Sequence, residues 1–479
     1  MMKQSGTFLV VLATLLLIWA CEPQEEMITG SPSAQLVFST DTVLFDTLLT
    51  ARTSITKRFR IRNTSNKAVS ISSIRLGMRD QSQYSIIVNG KMGSEIQDEV
   101  LFGKDSLLVL VDVEIDPQDM DLPYLVKDSI IVDWNGNSAN VKLVAWGQDA
   151  HFVNAQTICD EVWTAERPYV IYNYAFVDSL CQLTIQPGAR VYLDNGAGLY
   201  VQGTLKVQGD SGNHVLFRNT RFDENYIVAP GQWSGLVFLE SSRDNEIHYA
   251  EIENGEIGIG LGYTFASIDG STILIPEKGV YTSSIEISNT SIRHMSTAGV
   301  LAFSSNVKME NSEVFNCGGF TVGNFGGGNY QYDYCTFSNF PNLFNAEDPS
   351  FQFSDEVEIF EGYVLREELS MKVYNSIIWG ANEEELAFSL TETVNTTVDI
   401  NNNIIRSKED LSPNNYGSLE ANFPGFVNLS TDIFDGFDFD LDSLAFARDK
   451  GLDLNYTIDI KGEKRDLKPD IGAHERIDP

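Results

Sequence analysis

Positive charge is scarce in this 479-residue chain: 33 Lys and Arg stand against 67 Asp and Glu, a formal charge of −34. Such a surface does not neutralise phosphates, so no nucleic acid is expected among its partners. Cysteine is scarce too, five residues with no CxxC pair, which excludes a disulfide-built scaffold and speaks against a zinc or redox site. The signatures HExxH, GxSxG and GxxxxGK[ST] are absent, which removes zincin, nucleophile-elbow and P-loop chemistry. His151, His214, His248, His294 and His474 are scattered and follow no catalytic order. No apolar run reaches the ~20 residues of a membrane-spanning helix.

The chain is 43% apolar and 21% charged, enough to bury a large core and too apolar for global disorder. Its length is about three times that of a typical domain, which calls for several domains or a repeat array. The N-terminus reads as a targeting segment: Lys3, a thirteen-residue apolar run from Phe8 to Ala20, then Cys21. This resembles a bacterial lipoprotein signal, with Ile18 and Ala20 in the lipobox and Trp19 bulkier than that pattern usually carries. The resemblance implies removal of residues 1–20 and acylation of Cys21, an anchor that needs no transmembrane helix. Glu22-Pro-Gln-Glu-Glu26 opens an acidic tether over 21–35, similar to the export signal of lipoproteins of the Bacteroidota. The expected location is the outer membrane, lipid-anchored and facing the cell exterior.

Residues 36–150 alternate with period two in short runs such as Lys57-Arg-Phe-Arg-Ile-Arg62 and Ser106-Leu-Leu-Val-Leu-Val111. Turn clusters, Asn63-Thr-Ser-Asn66 and Asn135-Gly-Asn137 among them, separate the runs. This pattern predicts an immunoglobulin-like β-sandwich, without the Cys…Trp…Cys core of antibody domains. From residue 157 the chain repeats instead. Ile285, Ile287, Asn289 and Ile292 recur as Val307, Met309, Asn311, Val314, then Tyr330, Tyr332, Tyr334, Phe337, then Met371, Val373, Asn375, Ile378, then Val398, Ile400, Asn402, Ile405. A period near 22 with β-branched and aromatic residues predicts a right-handed parallel β-helix over 157–479 with a C-terminal cap. Asn289 and Asn311 are expected to stack as an amide ladder at one corner. Early rungs come from Leu183–Gly188, Arg190–Leu193, Gly198–Leu205 and Gly231–Gly235. The order resembles β-helical, pectate-lyase-like lipoproteins of the Bacteroidota. Asp466-Leu-Lys-Pro-Asp-Ile-Gly-Ala-His-Glu475 is similar to their choice-of-anchor Q type C-terminus, with His474 where an aromatic is usual.

Pectate-lyase-like folds imply acidic-glycan clefts, and lyases among them use a carboxylate-held Ca²⁺ with an Arg or Lys base. Asp438, Asp440 and Asp442, with Asp435 nearby, would share one strand face and could hold Ca²⁺; the alternative is a polar face over Phe437, Phe439 and Leu441. No other cofactor is expected. The basic candidates are Arg218, Lys206 and Arg221, the last in a loop with Tyr226 ahead of Trp233, where pairing with Asp223 or Glu224 would merely brace the loop. Trp163, Trp233, Trp379, Tyr200, Tyr226 and Tyr281 could stack on sugars or pack inside. Gly318–Gly328 reads as tight corners. Cys159 and Cys181 lie 22 residues apart and could pair, whereas Cys317 and Cys335, 18 apart, fall out of register and are expected as buried free thiols. Six Asp-(Ser/Thr)-apolar strings, beginning at Asp41, Asp46, Asp105, Asp128, Asp178 and Asp442, resemble the O-glycosylation acceptor of the Bacteroidota. The function expected is a non-catalytic surface lipoprotein that binds a glycan or an envelope protein through its β-helix. The alternatives are a polysaccharide lyase or glycoside hydrolase, and an accessory subunit of an outer-membrane transport or assembly complex.

Overall fold

A computed structural model describes residues 27–50, 54–223, 226–268, 271–277, 283–340, 348–429 and 436–477. The predicted signal segment, Cys21 and the start of the tether lie outside the described residues. The chain divides into two compact units, Met1–Asp149 and Ala150–Pro479. The first is a β-sandwich and the second a parallel β-helix.

The sandwich follows from the alternation. Its larger sheet orders Ile28–Thr29, Ala68–Leu76, Tyr124–Trp134, Asn137–Gln148 and Thr42–Leu49, with Glu95–Leu101 paired to Ala68–Leu76. The smaller sheet orders Leu36–Phe38, Lys57–Asn63, Ser106–Val113, Tyr84–Val88 and Lys91–Gly93. Phe59, Ile61, Val109 and Val111 meet Ile71, Ile130, Val132 and Leu143 in one core. Asn135 and Gly136 both take positive φ, 43° and 78°, the two-residue turn that matches strand twist. Asn63 Nδ2 donates to the carbonyls of Lys67 and Leu101 at 2.9 and 3.1 Å, which fixes the other predicted turn.

In the second unit the predicted register is the observed one. Ile285 lies opposite Val307, Val307 opposite Tyr330, Tyr330 opposite Met371, and Met371 opposite Val398. A second inward row runs Ile292, Val314, Phe337, Ile378, Ile405. Each rung contributes three strands, so the solenoid has three faces. The groove face includes Thr204–Gln208, Asn245–His248, Ser284–Ser288, 306–310, 329–333 and Leu369–Tyr374. The strap face includes Val215–Asn219, Ala250–Glu253, Ser291–Met295, Glu313–Cys317, Thr336–Asn339 and Ile377–Gly380. The hairpin face includes Gly198–Val201, Gly235–Leu239, 257–261, 298–303, 320–325 and Phe351–Ser354. Its outward side chains are apolar, because two inserted hairpins (263–276 and 356–366) lie over it. Tyr363 Oη ties one hairpin to the other through the Pro276 carbonyl at 3.0 Å. At the glycine-rich corner, Gly326 and Gly327 have φ of 75° and 87°, and a Cβ on Gly327 would lie 2.4 Å from the Glu367 carbonyl; only glycine fits.

The expected amide ladder takes a different form. Tyr249, Asn289, Asn311, Tyr334, Asn375 and Asn402 sit at one corner with φ of 50°, 50°, 45°, 53°, 49° and 60°, a left-handed backbone that Asn tolerates best. The amides of Asn289 and Asn311 do not pair with each other; they turn outward to the chain's C-terminal segment. Asn402 Nδ2 reaches the Lys450 carbonyl at 2.8 Å, Asn375 the Leu452 carbonyl at 2.8 Å, and Asn289 the Asp459 carbonyl at 2.5 Å. Residues 450–465 therefore run back along the corner as a strap, and 466–477 turn onto the strap face. Arg465 is buried at the bend, 3.1 Å from Glu475, 3.0 Å from Asn311 Oδ1 and 4.1 Å above the Tyr334 ring. His474 is buried between Glu313 at 3.0 Å and Asp440 at 2.8 Å, a position between two carboxylates that suits an imidazolium.

Cys159 and Cys181 form a disulfide across adjacent rungs, Cα–Cα 4.7 Å, while Cys317 and Cys335 are free and buried. Burial pushes the Cys317 thiol up to about 12, so it is inert at neutral pH. Replacing Cys159 and Cys181 by alanine removes a 22-residue covalent loop and is expected to destabilise the early rungs by about 3 kcal/mol in urea unfolding.

The His474 contact sets a pH dependence. Burial opposes its charge, but Asp440 and Glu313 outweigh that and raise its pKa to about 9, above the unfolded value of ~6.5. The imidazolium thus stabilises the fold fully below pH ~6.5, and that contribution, on the order of 3 kcal/mol, is lost as pH rises towards 9. Calorimetry should show the wild-type β-helix losing stability relative to His474→Gln across this window; parallel curves would refute the buried imidazolium.

Candidate functional site

The repeat that buries one residue exposes the next, because side chains alternate along a strand. Between the inward Ile285 and Ile287 stands Glu286; between Val307 and Met309, Lys308; between Tyr330 and Tyr332, Gln331. Stacked in register, these outward residues form a continuous row: Lys206, Glu246, Glu286, Lys308, Gln331, Lys372, Asp399. A parallel row beside it carries Ser284, Asn306 and Asn329. Neighbours within a row are ~4.8 Å apart. The middle rungs enclose a groove of about 290 Å³ lined by Asp244, Glu246, Glu286, Asn306, Lys308 and Gln331, together with Ser284 and Asn329.

Some of these side chains are committed and others are open. Lys206 Nζ donates to Glu246 at 2.8 Å, and that bond leads the causes that hold the Glu246 carboxyl below its ordinary value. Lys308 pairs with Glu310 at 3.1 Å, and Gln331 Nε2 donates to Asp333 at 2.6 Å. Burial raises the Asp333 pKa, but that carboxylate also accepts from Tyr456 Oη at 2.8 Å and lies beneath the strap. Asp244, Glu286 and Asn329 are exposed at the groove. The floor is therefore a set of polar donors and acceptors in which Glu246, held ionised beside Lys206, is a poor proton donor.

The strap face has its own charged cluster, paired largely within itself, although Arg218 Nε and Nη2 are buried without a hydrogen-bond partner among the described residues. Arg293 bridges Glu251 at 2.7 Å and Glu253 at 3.1 Å, and Arg218 lies 3.5 Å from Glu253. A hydrogen bond from His214, with Arg293 beside it, lowers the Glu251 pKa to about 2. A lyase base must be free to take a proton; these guanidiniums are already paired with carboxylates.

The residues singled out in the sequence do not converge on one site. Trp233 is fully buried with Nε1 on the Glu253 carbonyl at 2.9 Å, and Trp163 and Trp379 are buried too, so none of the three offers a face to a sugar. Trp163 and Trp233 face inward in the rungs, whereas Trp379 faces outward on the strap face and is covered by the C-terminal cap. Arg221 pairs with Asp223 at 3.1 Å and lies 3.5 Å over the Tyr226 ring, a loop brace that occupies all three. Tyr200 is half-buried on the hairpin face, 5.6 Å from Phe265. Asp440 binds Lys461 at 2.6 Å and His474, Asp438 accepts the Asp440 amide at 3.0 Å, and Asp442 caps the Leu444 amide at 3.0 Å. These carboxylates make local contacts, Asp442 at an exposed turn, and among the described residues no group of three or more His, Cys, Asp or Glu is placed to hold a metal. Glu224, Tyr281 and Asp435 lie outside the described residues. Of the Asp-(Ser/Thr)-apolar strings, those at Asp178 and Asp442 form exposed turns, while Thr42, Thr47, Ser106 and Ser129 are half-buried in strands. Apart from Lys206, the sequence signal for the groove lies in the outward half of the repeat, which alternates with the inward residues that set the period.

No known protein family and no curated protein matches the chain. Parts of it are similar to solved structures. A family 123 glycoside hydrolase from Clostridium perfringens aligns over 25% of this chain and 30% of its own, at 6% identity and TM-score 0.19. The E. coli chaperone DraB aligns over 23% of this chain and 55% of its own, at 14% identity and TM-score 0.17. The catalytic domain of a GH87 α-1,3-glucanase aligns over 71% of this chain and 90% of its own, at 10% identity and TM-score 0.14. The chain thus spans less than two thirds of the first two structures. Likeness at this level carries no argument about what the protein does.

Proposed function

We propose that the protein is a non-catalytic, lipid-anchored surface protein of the outer membrane whose groove face binds a glycan. The groove carries this reading: exposed Asp244, Glu286 and Asn329 stand beside Asn306, Lys308 and Gln331 in stacked rows. A sugar chain offers hydroxyls at a regular advance, and rows of amides and carboxylates ~4.8 Å apart match that repetition. A protein partner would call for a buried aromatic or Arg anchor, and the groove lining has none. Its carboxylates exceed its cations, which favours a neutral or amino-bearing glycan over a polyuronate. The ion pairing of Arg218 and Arg293 with Glu251 and Glu253 on the strap face speaks against the lyase alternative.

Two experiments test the reading. On a glycan array, the full chain should bind a defined set of neutral or amino-bearing glycans, and Glu286→Gln or Asn329→Ala should each weaken binding about fivefold, one lost hydrogen bond. Binding to none, or binding indifferent to both substitutions, would sink the groove assignment. For the anchor, Cys21→Ala should leave the protein folded and release it from carbonate-washed membranes, whereas retention in the pellet would point to a second integral anchor.

A further inference from the structure

One face of the sandwich carries charge opposite to that of the chain. On Lys57–Asn63 the buried Phe59 and Ile61 alternate with exposed Arg58, Arg60 and Arg62, three guanidiniums ~7 Å apart on the outward side of the smaller sheet. Among the described residues none of the three makes a side-chain hydrogen bond or an ion pair; the nearby Lys57 is the one that pairs, with Asp46 at 4.0 Å. Leu110 stands opposite Arg58 and Leu108 opposite Arg60. Val37 stands opposite Arg62, and Ile87 and Met92 continue the row from Leu110. Val37, Leu108 and Met92 are 51%, 37% and 66% exposed. Half-buried Asp112 is the carboxylate on that side of Ser106–Val113.

We infer that this face is a second membrane contact, docking on a bilayer that presents phosphate-bearing anionic lipids. In a chain of charge −34, an exposed arginine row without ion pairs is open to an anionic partner. Guanidinium groups fork onto phosphate oxygens, and interleaved apolar side chains suit the headgroup boundary of a lipid surface. A dissolved acidic polymer would have no use for exposed Val37, Leu108 and Met92. Covalent reach fits as well. Ile28–Thr29 pairs with Ala68 and Val69 of the sandwich, seven residues after Cys21, so an acylated Cys21 would hold the domain within ~25 Å of the bilayer. Only this distance rests on the lipid-anchor reading; the arginine face stands without it.

The test is vesicle flotation of the full chain carrying Cys21→Ser, using phosphatidylcholine alone and phosphatidylcholine mixed with phosphatidylglycerol. The chain should bind the mixed vesicles preferentially, and the preference should fade with added salt. Arg58→Gln, Arg60→Gln and Arg62→Gln together should cut the phosphatidylglycerol-dependent part on the order of 100-fold, while Val37→Ser with Met92→Ser should cause a smaller loss. Any apolar contribution from the N-terminus appears equally on both vesicles and in both chains, so it cancels. Equal binding to both vesicle types, indifference to the triple substitution, or displacement from vesicles by a soluble acidic polysaccharide would overturn the proposal. None of those results bears on whether Cys21 is acylated.

Discussion

The constraint beneath the second unit is the fixed spacing between stacked strands. Once Ile285, Val307, Tyr330, Met371 and Val398 occupy one register, each position of the cross-section must suit all its neighbours at ~4.8 Å. An inward position must be apolar on every rung, and an outward one must tolerate water or be covered. The two hairpins over Val237, Leu301 and Phe303 answer the second demand, and so do the aromatic and aliphatic contacts of Phe426, Phe439 and Leu441 with Phe315, Ile377 and Trp379. The groove face is left to solvent, and its outward rows are accordingly polar.

The corner shows the same constraint acting on the backbone. A left-handed residue on six successive rungs, from Tyr249 to Asn402, turns the chain from the groove face to the strap face, and asparagine adopts that conformation with least cost. Its amide is then free, and the strap consumes it. Arg465 completes the join: buried with Glu475, Asn311 and the Tyr334 ring around it, it would be a severe liability without those partners. The C-terminal motif is thus a clamp on the solenoid, and His474 between Glu313 and Asp440 makes the clamp sensitive to pH.

Charge placement separates the sites from the scaffold. Arg218, Arg221, Asp438 and Asp440 look chemical in the sequence, yet each is engaged within the fold. The groove carboxylates Asp244 and Glu286, and the arginines at 58, 60 and 62, remain exposed. An ionic side chain matters to a partner when the fold has not already used it.

Alternation and period follow directly from strand geometry, so the all-β class, the change from hairpins to rungs and the inward register are legible in the residues alone. The sequence also told that Cys317 and Cys335 stay apart, since eighteen residues do not match the repeat. It could not tell that Trp233 faces inward, that the amides of Asn289 and Asn311 hold a segment more than a hundred residues downstream, or that Asp440 is taken by Lys461 and His474. Those facts depend on which long-range partner reaches a side chain first. Insertions of variable length between rungs set those meetings, and a repeat pattern carries no record of where an insertion folds back.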